Sequence, residues 1–125
     1  MLPSSHRLRH SSDVRATLRC ASAGSKVVIV HVALREMDPA TADLITGPRV
    51  GVVCSKAVGN SVIRHTLARR LRHCARDVVA GLPRNSDLVI RARPAAVHAT
   101  HDALSEAIAY CTRKAHAAAE RRRTR

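Results

Sequence analysis

Apolar positions along the chain follow two spacings, and the spacing changes where the elements change. Residues 27–32 form a β-branched run broken only by His31, and Arg49-Val50-Gly51-Val52-Val53-Cys54 forms another. Both predict strands. A loop opened by Asp38-Pro39 and closed by Gly47-Pro48 separates them, so an antiparallel pair is expected. Leu88-Val89-Ile90 predicts a short third strand, stopped by Pro94, and residues 21–25, with Gly24, read as a turn.

Elsewhere the period is helical. Val14 and Leu18 give one apolar edge to a short helix ending near Cys20, with Ser11 or Ser12 as its cap. Gly59-Asn60 precedes a long pattern that runs to about Val79 and is closed by Gly81 and Pro83. Within it Ile63, Leu67, Leu71, Cys74 and Val78 span roughly 80° of helix surface, a core-facing stripe. A last helix starts near Thr100, a candidate cap, with Leu104, Ile108, Cys111 and Ala115 on one face. The order is α-β-β-α-β-α, with room for one extra short strand. That is an α+β fold with helices on a small, mainly antiparallel sheet. Residues 1–10 read as a basic N-terminal arm, 11–117 as a single domain, and 118–125 as an arginine-rich disordered tail.

Composition sharpens this. With 125 residues the chain suits one domain, and its 46% hydrophobic content supports a core. That core must be aliphatic, because Tyr110 is the only large aromatic residue. The net charge is +13, the sequence pI is about 11.4, and only Lys26, Lys56 and Lys114 among the 22 basic residues are not arginine. Such a charge favours polyanions, and arginine clamps phosphate with a planar fork. Residues 1–10 are polar and basic, so neither a signal peptide nor a membrane span is expected. Cys20, Cys54, Cys74 and Cys111 lack paired spacing, which fits reduced thiols and a cytoplasmic protein.

The long helix carries the candidate chemistry. His65, Arg69, Arg72 and Arg76 lie together opposite the apolar stripe, with Arg64 between the two faces. No acidic residue occurs between Lys56 and Arg76. Those cations repel one another unless a polyanion neutralises them. Gly59 permits a tight turn before the helix, whose first amides attract phosphate. A Walker-type phosphate loop is absent.

Arg49-Val50-Gly51, followed by Cys54-Ser55-Lys56-Ala57-Val58-Gly59-Asn60-Ser61-Val62-Ile63-Arg64 and on through Arg69 to Arg72, resembles the signature of the bacterial ribonuclease P protein family. Arg49, Gly51, Ser55, Lys56, Gly59, Asn60, Val62, Arg64, Arg69 and Arg72 match it. Arg7-Leu8-Arg9 with Ser12-Asp13-Val14, and Asp87-Leu88-Val89-Ile90-Arg91-Ala92-Arg93, resemble flanking family segments.

The resemblance implies a fold like domain 2 of ribosomal protein S5, with a left-handed βαβ crossover. It also implies a subunit that assists a catalytic RNA in removing the 5′ leader of precursor tRNA, with Mg2+ bound mainly by that RNA. The protein would supply no catalytic side chain. Together with the basic face, it assigns RNA contacts to Arg49, Lys56, Gly59, Asn60, Arg64, His65, Arg69, Arg72 and Arg76. Arg9, Val14, Leu18 and Val30 would line a cleft for the single-stranded leader, between the first helix and the sheet. This chain departs from the family at His65-Thr66, Ala57 and Ala68, where basic or amide side chains are usual. It also has aliphatic Val14, Leu18 and Val30 where the cleft usually has rings, so leader binding would either be weaker or lean on arginines and on His31.

The other classes fit less of the chain. A ribosomal or ribosome-associated RNA binder explains charge and size but not the signature, and a helix-turn-helix needs two short adjoining helices. His6/His10 and His98/His101 have metal-like spacing without a third ligand nearby in sequence. No nucleophile elbow or paired-carboxylate motif is present, and Cys54 and Cys74 read as core residues.

Overall fold

The computed structural model describes residues 7–8, 10–36, 39–40 and 47–123. Its elements are α1 (Ser11–Leu18), β1 (Ala21–Gly24), β2 (Val28–Leu34), β3 (Arg49–Val53), α2 (Ser61–Ala80), β4 (Ser86–Ala92), a 3₁₀ turn (Pro94–His98) and α3 (His101–Arg123). The four strands lie in the order β1-β2-β4-β3. β1–β2 and β2–β4 are antiparallel, while β3 runs parallel to β4.

The expected β2–β3 pairing does not form, because β4 lies between those strands. Residues 86–90 are all buried, so β4 needs a neighbour on each edge and cover on both faces. The 20-residue α2 supplies the crossover that lets β3 and β4 run parallel. Residues 21–24 are also not a turn. They pair with β2, and the reversal falls at Ser25, whose Oγ accepts from the Val27 and Val28 amides at 3.3 and 3.2 Å. This is the extra short strand. Its small residues carry little strand preference, and Ala21 is buried against the α3 side of the sheet.

Val28, Val30 and Val32 of β2, Leu88 and Ile90 of β4, and Val50 of β3 form the core face of the sheet. α2 adds Leu67, Leu71, Cys74, Ala75 and Val79, so its stripe begins one turn later than expected; Ile63 is 37% exposed. Leu104, Ile108, Cys111 and Ala115 are fully buried, as their spacing predicts, and Thr100 Oγ1 accepts from the Ala103 amide at 3.1 Å. The same seam continues to Ala119, 8% exposed. Packing therefore carries α3 through Arg123, where a disordered tail from residue 118 was expected; Thr124 and Arg125 lie outside the described residues.

α1 covers the other face of the sheet. Its cap position is His10, without a side-chain cap, so Ser11 and Ser12 sit inside its first turn. Just before it, Leu8 donates its amide to the Val50 carbonyl at 2.8 Å, and Arg7 bridges Val50. Part of the basic arm thus covers the open edge of β3, where unpaired backbone would otherwise invite aggregation.

Candidate nucleic-acid interface

The turn from β3 into α2 is locally constrained. Gly59 has φ 155°, and a Cβ there would lie 3.0 Å from Ile63 Cγ2. Asn60 Oδ1 accepts from the Ile63 amide at 3.0 Å, capping the helix. Gly59 and Asn60, assigned RNA contacts by resemblance, therefore each have a structural role. Val58 is buried beneath the turn and leaves Lys56 exposed at its tip.

His65, Arg69 and Arg76 stand exposed on α2, and Arg72 is half-buried beside them. This is the stripe that helical spacing predicts, and it is free of acidic residues. Arg64 is half-buried on the flank. The charges of Arg72 and Arg64 both reach Cys54, the residue after β3, although burial dominates and pushes that thiol up from its ordinary value. Arg72 also lines a cavity of about 490 Å³ along the β3 edge with Arg7 and Gly51. The basic surface therefore runs from the arm, past the edge strand, onto α2.

Arg49 belongs elsewhere. Its Nε and Nη2 donate to the two carboxylate oxygens of Asp87 at 2.9 and 2.8 Å, and its Nη1 lies 3.5 Å from Asp13 of α1. Arg35 adds a second cation, 3.2 Å from Asp87, and donates to the Gly47 and Arg84 carbonyls at 2.7 Å. This network ties α1 to the sheet, and hydrogen bonding to Asp87 raises the Arg49 guanidinium further above its ordinary value.

On the α1 face the register gives three rows. Ala33, Asp87 and Arg49 form the ionic row, while His31, Val89 and Gly51 form a covered row. A Cβ on Gly51 would meet the Leu8 carbonyl at 3.3 Å and Val14 at 3.6 Å, which places the arm and α1 over that row. The third row holds half-buried Ile29 and Val53 with exposed Arg91 between them. Val14 and Leu18 are half-buried on α1. Val30 is not in the expected cleft: it is 0% exposed on the opposite, α3 side of the sheet. A one-residue slip moves a strand side chain to the other face, and His31 is the residue that points toward α1. Arg9 lies outside the described residues.

The Ribonuclease P family profile matches residues 2–116. The chain belongs to the ribonuclease P protein family. Ribonuclease P protein components from Rhodococcus opacus and Streptomyces griseus are similar in sequence. The first is 48% identical over 104 residues, covering 80% of each chain; the second is 43% identical over 107 residues, covering 84% of this chain and 87% of the relative. The fold resembles the Staphylococcus aureus RNase P protein, with a TM-score of 0.70 at 18% identity, covering 86% of this chain and 93% of that one. It also resembles the Thermotoga maritima RNase P protein, with a TM-score of 0.64 at 20% identity and coverages of 82% and 90%.

In this ribonuclease P protein, His31 is the one ring that the described strands turn toward the α1 face. His31 is 6% exposed, and neither of its ring nitrogens has a hydrogen-bond partner among the described residues. Burial, then the charge of Arg91, lowers its pKa from the ordinary value. Its place in an alternating strand was readable in the sequence; which parity faced α1 was not. His73 was missed, and His101 was weighed only as half of a metal-like pair with His98. Arg70 leaves the main basic stripe and donates to the Ala99 carbonyl at 2.6 Å, and the rings of His73 and His101 lie 5.5 Å apart.

Proposed function

We propose that this chain acts in the 5′ processing of precursor tRNA as the protein component of bacterial ribonuclease P, in the cytoplasm, with hydrolysis carried out by an RNA subunit. The observation that supports this reading is the uncompensated α2 stripe of His65, Arg69, Arg72 and Arg76, within a chain of the ribonuclease P protein family. The stripe and Lys56 would dock the RNA subunit by screening its phosphates and releasing counterions. The α1 face of the sheet at Ile29, Arg91 and Val53, together with Val14 and Leu18 of α1, would hold the single-stranded leader. Contacts to the leader add affinity that mature tRNA lacks, so substrate is favoured over product.

Asp87 and Asp13 are held by arginines, and no group of three or more His, Cys, Asp or Glu suited to a metal occurs among the described residues. Mg2+ enters this proposal with the RNA, as the family resemblance implies. No described helix is long and apolar enough to cross a membrane.

The test is cleavage of a 5′-extended precursor tRNA at low Mg2+ by the protein, by a bacterial ribonuclease P RNA, and by the two mixed. Activity confined to the mixture, or strongly raised in it, is the expected result. RNA binding without stimulation would favour a general ribosome-associated RNA binder. Cleavage by the protein alone would overturn the non-catalytic reading.

A further inference from the structure

One turn-to-turn row of α2 lies beside the stripe already described. Thr66, Arg69, Arg70 and His73 follow the i, i+3, i+4, i+7 spacing and line one cavity of about 350 Å³. Arg7 from the arm, Arg72 and His101 at the start of α3 close it. No acidic side chain is among the described residues of the lining, where Arg69, Arg70 and Arg72 of α2 bring three guanidinium groups to one small space.

The histidines give this space a second character. Their rings are 5.5 Å apart and tilted by 51°. His101 is held at both ring edges, with Nδ1 3.5 Å from Cys74 Sγ and Nε2 3.5 Å from Ser105 Oγ. Engaging both edges leaves the faces of that ring as its open surface. Arg70 fixes the neighbouring backbone through the Ala99 carbonyl, which holds the start of α3 against α2. His73 and His101 are both exposed, so two adjacent imidazoles lie beside these arginines.

We propose that this cavity is a mononucleotide pocket, taking one unpaired nucleotide of an RNA partner with its phosphate on Arg69 and Arg72, its base stacked on His73, and the tilted face of His101 against the edge of that base. A cavity of roughly 300 Å³ or more is of small-ligand size, and bare phosphate would leave the imidazole wall unused. Stacking on rings is tolerant of base identity because every base offers a π face. The pocket thus reads an extruded nucleotide rather than a sequence. The inference rests on the chain being an RNA-binding protein, and it adds a site to the docking surface.

The full chain is titrated with uridine 5′-monophosphate, uridine and inorganic phosphate, following amide and imidazole NMR signals. The monophosphate should move the Arg69, Arg70, His73 and His101 signals and bind about fivefold or more tightly than phosphate, the low end of base-on-ring stacking. His73→Ala should bring the two affinities together and leave phosphate binding intact. His73→Phe, which keeps a ring, should preserve the preference, and Arg69→Gln should weaken both ligands. Equal affinities in the unmodified chain, still imidazole signals, or an unchanged ratio in His73→Ala would overturn the pocket. Stimulated precursor tRNA cleavage without nucleotide preference would sink this inference alone; nucleotide preference without stimulation would sink the ribonuclease P reading alone.

Discussion

Arg49 and Asp87 are register partners across the parallel β3–β4 ladder and share two hydrogen bonds, Nε to Oδ1 at 2.9 Å and Nη2 to Oδ2 at 2.8 Å. The Asp87 side chain is 7% exposed, so its charge depends on this fork and on Arg35. Removing one partner from a buried ion pair costs about 3–5 kcal/mol, because the other is left uncompensated. Arg49 is a quarter exposed, which places Arg49→Ala near the low end, about 3 kcal/mol. Arg49→Lys should recover only part of this, since a point charge cannot reproduce the fork. Urea unfolding measures the loss. RNA affinity of the folded variant should keep its salt dependence, and a flattened slope would return Arg49 to the docking surface.

The α2 stripe makes the opposite forecast. Arg69 and Arg76 are exposed and remote from the core. Arg69→Ala and Arg76→Ala should leave the unfolding midpoint in place. Each should lower the slope of log affinity against log salt by about 0.7–0.9 for every phosphate contact removed. Unchanged slopes in both variants would mean that the RNA docks elsewhere.

The turn into α2 should be sensitive to a single methyl group. Gly59→Ala meets two penalties, a φ of 155° and a Cβ 3.0 Å from Ile63 Cγ2. Together they should cost about 1–3 kcal/mol. Adding Ile63→Ala relieves the contact but not the backbone, so the double variant should recover only part of the loss attributed to Gly59→Ala. Asn60→Ala, which removes the cap to the Ile63 amide, should cost about 1 kcal/mol. Thermal unfolding of the three variants separates sterics, backbone strain and capping.

Elements with strong periodicity were legible in the sequence. The α3 face at Leu104, Ile108, Cys111 and Ala115 and the basic α2 stripe both lie where the 3.6-residue period puts them. Strand order was not legible, because pairing is a long-range choice and neighbours in sequence need not be neighbours in the sheet. The cleft was misplaced at Val30 for a related reason. Both faces of β2 are covered, by α3 on one side and by α1 on the other, so apolar residues occupy both parities and the pattern does not say which side is which. Arg49 was assigned to RNA because an arginine paired to a carboxylate 38 positions away looks, in sequence, like any other arginine.

His31 supplies a pH forecast. Its folded pKa is lowered by burial and then by Arg91, so the unfolded chain takes up the proton first as pH falls. Above about pH 6.5, the ordinary histidine value, both states are mainly neutral at this site and its effect on stability is flat. As pH falls below that value toward the lower folded one, the unfolded state binds more protons and stability drops with pH. His31→Leu removes the titration and the two unpartnered ring nitrogens, so it should resist this drop between about pH 6.5 and 5. Arg91→Ala should lessen the drop without abolishing it, because burial is the larger cause and remains. Urea unfolding from pH 8 to pH 5 reads all three proteins. The difference between each variant and the parent cancels the titration of the other histidines, and a parallel pair of curves for parent and His31→Leu would show that His31 is not held neutral beneath α1.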